Sequence, residues 1–381
     1  MKGTANEERN RAMRYAISTI GVIACVGLLA VQCPAAKDDQ PTPAKPDPFN
    51  YILGTQTFAP SYHFTNEAPV VETSKAILAM GSNIVKTFDN PEHIVVLDMP
   101  FKYYFFWTGP NEWYDGMTEA EKTKQYELMY NKVKSLLTKY NNSGKVIFIG
   151  HWEGDWLLVK NPYKMVEPSE TTIRGMIDWL NNRQKAIDDA KRDTPHKNIE
   201  VYQYTEANRA YEAMMEGKNR VANAVLPHTN VDYVSYSSYD IQGLSQEEIN
   251  KTLDWVESQI PKKKGIKGKR LFVGEFGICA RDAGFDPKEH EKKNREIYLK
   301  FLRWGAPFIL QWEMYNNEVQ DGKQLGYWLI NDKNQKQPLY YTLEALYKNA
   351  KVYVAEYRDE HGKNPTIEQY RKWAIGWLEK R

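Results

Sequence analysis

Three glutamates stand where apolar, β-rich runs of the sequence end. Glu153 follows KVIFIGHW, Glu206 follows IEVYQYT, and Glu275 lies inside RLFVGEFGI. A carboxyl group that holds a proton can donate it to a leaving oxygen, and an ionised carboxylate can attack an electrophilic carbon. Glu275 is the strongest candidate, because it interrupts an apolar run beside glycines, whereas a lone glutamate in a loop is usually part of a salt bridge. Two such glutamates on one rim predict acid and nucleophile chemistry.

Aromatic and polar side chains accompany these glutamates. The chain has 11 Trp and 25 Tyr, and aromatic residues make up 13% of it. Trp and Tyr join a flat apolar face to a polar tip, which suits ligands with apolar C–H faces, although core packing explains any single one equally well. The candidate substrate-binding residues are His151, Trp152, Trp156, Glu206, Tyr236, Tyr239 and Trp312, with Trp107 as a weaker candidate.

The composition argues against a nucleic-acid partner and a metal centre. The chain carries 51 basic and 49 acidic side chains, so no basic stripe stands out, and the basic run at 261–270 is interpreted as a solvated loop. His151 and Glu153 match the H-x-E part of a zinc deaminase motif, but that motif also needs P-C-x-x-C, which this sequence lacks. We therefore predict no metal site and no cofactor.

The glutamates belong to a series of eight β-rich runs, mostly separated by segments of helical periodicity. We predict strands at 51–58, 83–88, 101–107, 145–152, 199–205, 231–237, 270–278 and 307–315. For strand three, the alternative is HIVVLDM at 93–99. Helices are predicted between strands and, after strand eight, at about 337–349 and 365–380.

Alternating strands and helices indicate a parallel sheet that is covered on both faces. Eight such strands favour a single α/β domain, a closed (β/α)₈ TIM barrel, over an open doubly wound sheet, and no G-x-G-x-x-G follows the first strand. We assign the barrel to 50–350 and a C-terminal helical extension to 351–381. In such a barrel the carboxyl ends of the strands share one rim, which brings the glutamates together.

The motifs GHWEGDW, FVGEFG and LQWEMY make the sequence similar to the clan A glycoside hydrolases, the cellulase, mannanase and galactosidase group. This resemblance implies a carbohydrate substrate and a retaining, two-glutamate mechanism. It implies Glu153 as the acid/base, Glu275 as the nucleophile and Trp312 as the floor under the sugar. Where the family usually has Asn before the acid/base glutamate, this chain has Trp152, and Glu206 is the rival acid/base. Glu112, in a loop after strand three, is a weaker candidate.

The resemblance also suggests which neighbours serve the two glutamates. We expect Tyr236 or Tyr239 to donate a hydrogen bond to Glu275, and Trp152 and Trp156 to pack around Glu153. We further expect that replacing Trp312 by Ala removes activity but leaves the fold intact.

The N-terminus has the layout of a bacterial export signal: basic residues, an apolar stretch, and then a polar, Pro-rich segment. We predict a lipoprotein signal peptide at 1–33 with lipidation at Cys33, or alternatively at Cys25, and a linker at 34–49. The protein is then expected in the bacterial cell envelope, in contact with a membrane only through this lipid anchor. The remaining Cys279 is expected to be a small buried side chain.

Two other functions remain open at this point. A non-catalytic glycan-binding surface lipoprotein would use the same barrel and the same aromatic residues. A metal-dependent hydrolase would need ligands that the sequence does not group together.

Overall fold

A computed structural model describes residues 51–90, 92–109, 113–160 and 166–381. Eight parallel strands close into one barrel in sequence order. The strands are β1 Leu53–Gln56, β2 Ile84–Phe88, β3 Tyr103–Trp107, β4 Val146–Gly150, β5 Glu200–Ala207, β6 Tyr233–Ser237, β7 Leu271–Phe276 and β8 Ile309–Gln311. Closure is direct, because Leu53 of β1 pairs with Ile309 of β8. The predicted single (β/α)₈ barrel is confirmed.

The helices form a layer around the barrel. In the described residues, the α-helices are α1 Pro69–Met80, α2 His93–Asp98, α3 Glu119–Lys139, α4 Gly154–Leu158, α5 Glu170–Asp193, α6 Ala210–Glu216, α7 Gln246–Ser258, α8 Pro287–Trp304, α9 Pro338–His361 and α10 Ile367–Leu378. Local sequence sets several of their starts. The Thr118 side chain accepts the Glu121 backbone N–H while Glu121 accepts that of Thr118, a capping box that begins α3.

Strand three lies at Tyr103–Trp107, as predicted, and the alternative segment is helix α2. Two apolar side chains of that segment, Ile94 and Val95, are exposed, which a central barrel strand would not allow. The C-terminal helices are also confirmed, although α9 continues through the boundary predicted at residue 350. The hydroxyl of Tyr347 in α9 donates to the carbonyl oxygen of Leu53, so this helix packs on β1.

The inside of the barrel is aromatic. Phe105 and Phe148 stack with ring centroids 4.3 Å apart, and the fully buried Tyr204 and Phe272 pack beside them. Gly150 closes this layer, because a Cβ atom there would lie 2.2 Å from Cζ of Tyr204. These rings fill the barrel. The polar residues of the candidate active site lie beyond them, at the carboxyl ends of the strands.

In the described part of the chain, no helix is long and apolar enough to cross a membrane. The predicted signal peptide, both N-terminal cysteines and the linker lie outside the described residues, as does Glu112. Cys279 is buried with a free thiol, as expected.

Candidate active site

Glu153 lies three residues after the end of β4 and is 1% exposed. It directly precedes the short helix α4. The Ser237 hydroxyl, at the end of β6, donates a 2.5 Å hydrogen bond to Oε1 of Glu153. The backbone N–H of Glu153 donates to Oε1 of Glu206 over 3.1 Å. Side chain and backbone of this glutamate are therefore tied to two other strands.

Glu275 lies in β7 at a β-bulge. Tyr236 pairs with Val273 and Ser237 pairs with Glu275, which leaves Gly274 as an extra residue. Only glycine fits there, because a Cβ atom at 274 would lie 1.7 Å from Oγ of Ser235. The next residue, Phe276, packs outward on the helix layer, so the fully buried Glu275 points toward the barrel axis.

Ser237 connects the two candidate catalytic glutamates. It lies in register with Glu275 on the neighbouring strand, and its hydroxyl binds the Glu153 carboxylate. Neighbouring strands are about 4.8 Å apart, so the Cα atoms of Ser237 and Glu275 are separated by about one strand spacing. The Glu153 carboxyl group thus contacts a residue of β6 that lies in register with Glu275 of β7, which places both glutamates at the same end of the barrel.

Glu206 is not an open carboxylate. Its Oε2 accepts 2.7 Å and 2.6 Å hydrogen bonds from Nζ of Lys86 and from the Ser235 hydroxyl, and both members of the Glu206–Lys86 ion pair are fully buried. It lies two residues before Asn208, whose backbone N–H donates to the buried Asp155 over 2.7 Å. The charge of Glu206 is therefore compensated by Lys86 inside the barrel.

His151 is likewise engaged inside the protein. Its Nε2 lies 2.7 Å from the Thr205 hydroxyl and its Nδ1 lies 2.9 Å from the carbonyl oxygen of Trp152. Burial lowers the pKa of His151 to about 3, although the hydrogen bond to Trp152 opposes this shift. The imidazole is therefore neutral near pH 7 and links β4 to β5.

The two candidate tyrosines, Tyr236 and Tyr239, lie in different parts of the structure. Tyr236 faces the helix layer, and its hydroxyl donates to the carboxylate of Asp240 at 2.7 Å and 2.8 Å, so the expected hydrogen bond from Tyr236 to Glu275 is corrected. Burial raises the pKa of Asp240 to about 7 against these hydrogen bonds. Tyr239 lies at the barrel mouth, edge-on to Tyr327 with ring centroids 6.3 Å apart.

Trp312 directly follows β8 and joins an aromatic cluster over the mouth, here called the mouth cluster: Phe58, Trp107, Tyr239, Trp312 and Tyr327. Trp312 is 2% exposed, and the Phe58 ring stacks on it at 5.3 Å with an interplanar angle of 25°. Its Nε1 donates to Oε1 of Glu318 over 3.1 Å. Trp312 is thus packed within the mouth cluster, so its replacement by Ala is expected to cost stability, contrary to the expectation that the fold stays intact.

The other two tryptophans lie away from the mouth cluster. Trp152 is half-buried against the outer core. Trp156 is buried beneath the guanidinium of Arg209, which lies 5.0 Å from the ring centroid. Neither forms part of the aromatic cluster that covers the barrel mouth.

A further carboxyl group, Glu313, stands beside Trp312 in predicted strand eight, and no role was predicted for it from the sequence. It is fully buried, and its two oxygens accept 3.1 Å hydrogen bonds from the backbone N–H groups of Phe58 and Asn317. Burial, and to a lesser extent the charges of Glu318 and Glu275, raise its pKa well above the usual range. The two hydrogen bonds of Glu313 tie the loop after β8 to the end of β1.

Two polar residues below the mouth were also missed. Lys86 stands alone in the apolar run NIVKTF, and Ser237 closes VDYVSYS. A single lysine in a strand that must be buried is a signal that a buried acid lies nearby, and this reasoning would have found Lys86. Within the described residues, no group of three or more His, Cys, Asp or Glu side chains is arranged to hold a metal ion.

No protein-family model matches the sequence, and no curated protein matches it. Among solved structures, a GH5-4 broad specificity endoglucanase from Clostridium longisporum aligns with a TM-score of 0.52 and 12% identity, over 79% of this chain and 97% of that chain. A glycoside hydrolase 5 lichenase mutant from Caldicellulosiruptor sp. F32, in complex with cellotetraose, aligns with a TM-score of 0.50 and 12% identity, over 78% and 92%. The chain has the fold of these glycoside hydrolases.

A GH2 β-galacturonidase from Eisenbergiella tayi also aligns, with a TM-score of 0.48 and 13% identity over 78% of this chain. The alignment covers 51% of that enzyme, so the chain spans about half of its length.

Proposed function

We propose that this protein is a retaining glycoside hydrolase that cleaves O-glycosidic bonds of an oligo- or polysaccharide. The observation that carries the proposal is that Ser237, at the end of the barrel where active sites form, binds the Glu153 carboxyl group and lies in register with Glu275. The clan A fold adds support, because glycosidases of this fold use two carboxyl groups in these roles.

The reaction follows from the two carboxyl groups. The Glu275 carboxylate forms a bond to the anomeric carbon while the bond to the leaving oxygen breaks and Glu153 gives its proton to that oxygen. Water then attacks the same carbon, returns a proton to Glu153 and releases Glu275. Two inversions give net retention of configuration.

The substrate class is inferred from the mouth cluster and from the neighbours of known fold. Aromatic faces at the rim suit the C–H faces of sugar rings. Because one neighbour is a broad specificity endoglucanase and another is a lichenase with bound cellotetraose, β-glucans are the first substrates to test.

The experiment is a screen of the purified protein against mixed-linkage β-glucan, cello-oligosaccharides and a wider glycan panel, with reducing ends as the readout. Glu275→Gln and Glu153→Gln should both lose activity, and the control Glu127→Gln, an exposed residue of α3, should keep it. The first product anomer, read by proton NMR, should retain the configuration of the substrate. An inverted first product, or full activity of Glu275→Gln, would contradict the proposed retaining mechanism.

A non-catalytic glycan-binding protein is the second candidate, and one observation favours it. The mouth cluster brings aromatic rings together at the carboxyl ends of the strands, which suits sugar binding whether or not the two glutamates react. Affinity electrophoresis in the same glycans separates the two candidates. Binding without release of reducing ends, unchanged in Glu275→Gln, identifies the binding protein.

We further propose that the protein is exported and lipid-anchored in a bacterial envelope through Cys33. The proposal rests on the basic start, the apolar stretch and the Pro-rich linker of the sequence. Metabolic labelling with a fatty acid should mark the wild type and the control Cys279→Ala, but not Cys33→Ala. Label that survives loss of both Cys33 and Cys25 contradicts an anchor at either residue.

A further inference from the structure

A buried ion pair lies below the candidate catalytic glutamates. Lys86 of β2 and Glu206 of β5 meet across the barrel with Nζ and Oε2 2.7 Å apart, and both side chains have no exposed surface. Removing two charges from water is costly, and apolar residues of similar volume would often give equal or greater stability. The pair therefore calls for an explanation other than stability.

One member of the pair holds the backbone of Glu153. While Oε2 of Glu206 binds Lys86, its Oε1 accepts the backbone N–H of Glu153 over 3.1 Å. The Ser235 hydroxyl donates to Oε2 over 2.6 Å and limits rotation of the same carboxylate. The position of the Glu153 backbone thus depends on where the Glu206 carboxylate is held.

The other member holds the backbone beside Glu275. Nζ of Lys86 donates a 2.8 Å hydrogen bond to the carbonyl oxygen of Gly274, the bulged residue that precedes Glu275. Nε2 of Gln56 donates to the same oxygen over 3.0 Å. Gly274 is the extra residue of the bulge, so its carbonyl oxygen lacks a backbone partner in the strand ladder. Lys86 and Gln56 donate hydrogen bonds to this oxygen instead.

We propose that Lys86 and Glu206 are positioning residues, which connect the backbone at Glu153 to the backbone at Glu275 and so set the separation of the two carboxyl groups. The chain of contacts runs from the Glu153 N–H through Glu206 and Lys86 to the Gly274 carbonyl, without a gap longer than 3.1 Å. The inference rests on the proposed function. A retaining mechanism needs carboxyl groups about 5–5.5 Å apart, and a displacement of about 1 Å can cost about 100-fold in rate.

The test must distinguish a loss of activity caused by displaced carboxyl groups from one caused by an unstable fold. A single replacement such as Lys86→Met leaves the Glu206 charge buried without its partner, and the variant is expected to lose stability. The double variant Lys86→Met/Glu206→Gln removes both charges and keeps nearly the same volume. Its glutamine oxygen still accepts the Glu153 N–H, but the ammonium bond to the Gly274 carbonyl is gone.

We expect the double variant to melt within a few degrees of the wild type. We also expect a kcat about 100-fold lower, with little change in KM, on the substrate that the wild type turns over. The matched control is Ser235→Ala, which removes one hydrogen bond to Glu206 but leaves both backbone contacts in place, and it should lose much less than the double variant. Wild-type kcat in a stable double variant overturns the proposal, because a purely structural pair would recover activity with stability.

A crystal structure of the double variant gives a readout that does not depend on activity. The distance between the Glu153 and Glu275 carboxyl groups should differ from that in the wild type by about 1 Å or more. An unchanged distance overturns the positioning role even if the wild type proves to cleave no glycan. An absence of wild-type activity alone, with a changed distance, counts against the proposed function and not against the link between the two glutamates.

Discussion

The hydroxyl of Ser237 donates a 2.5 Å hydrogen bond to the carboxylate of Glu153. Ser237 is also the cross-strand neighbour of Glu275, so one small side chain contacts the proposed acid/base and stands beside the proposed nucleophile. Ser237 thus links glutamates from strands that are not neighbours, one through its side chain and the other through its strand register.

The first prediction concerns this hydroxyl. Ser237→Ala should lower kcat about 10-fold, because its hydrogen bond stabilises the negative charge that Glu153 gains as it gives up its proton, and a bond to a charged group contributes about 1.5 kcal/mol or more. The measurement is steady-state kinetics together with urea unfolding, which should show that the fold is kept. Ser258→Ala, an exposed hydroxyl at the end of α7, is the control. Equal kcat values for Ser237→Ala and this control would contradict a role for Ser237 in the reaction.

The second prediction concerns pH and His151. Burial lowers its pKa in the folded protein to about 3, from an ordinary value of about 6.5. Below pH 6.5 His151 binds a proton in the unfolded chain but not in the folded protein. Its contribution to the free energy of unfolding is therefore fully present above pH 6.5 and is lost as the pH falls toward 3. The contribution of this group approaches about 1.4 kcal/mol per pH unit in that window.

Urea unfolding at pH 7, 5.5 and 4.5 measures this contribution as a difference between two proteins. The unfolding free energy of His151→Gln should fall less steeply with acid than that of the wild type. His290, with a pKa lowered by burial to about 4, is present in both proteins and cancels. Parallel pH dependences would mean that His151 is accessible to solvent.

The third prediction concerns Trp312, which is packed in the mouth cluster. Trp312→Ala should lower the free energy of unfolding by about 3–5 kcal/mol, because a buried tryptophan leaves a large cavity. Trp377→Ala, a half-buried residue of α10, is the control and should cost less. A Trp312→Ala protein as stable as the wild type would show that this indole is an open platform.

The general plan of the barrel could be predicted from the sequence, because it depends on local periodicity and on the spacing of apolar runs. The same reasoning located Glu153 and Glu275 at strand ends. Tyr236 alternates along β6 with Ser235 and Ser237, whose hydroxyls lie inside the barrel, and the sequence alone did not show which of these two faces is the inner one. The role of Glu206 could not be predicted either, since its partner lies 120 residues away and pairing at that distance leaves no local pattern.

The fourth prediction concerns the proton donor. Glu153→Ala should lose most activity on substrates with poor leaving groups and keep far more on activated aryl glycosides, whose departure needs no proton. The measurement is kcat/KM across a series of aryl leaving groups. If Glu206→Gln shows this dependence and Glu153→Ala does not, the acid/base belongs to β5.

Turnover of Glu275→Ala on an activated aryl glycoside, with and without azide, tests the central claim most directly. The variant should be nearly inactive alone, because no carboxylate remains to attack the anomeric carbon. Azide should enter the vacated space, restore turnover and give a glycosyl azide of inverted configuration, since one displacement replaces two. Wild-type turnover by Glu275→Ala without azide would contradict the assignment of the nucleophile and, with it, the retaining mechanism.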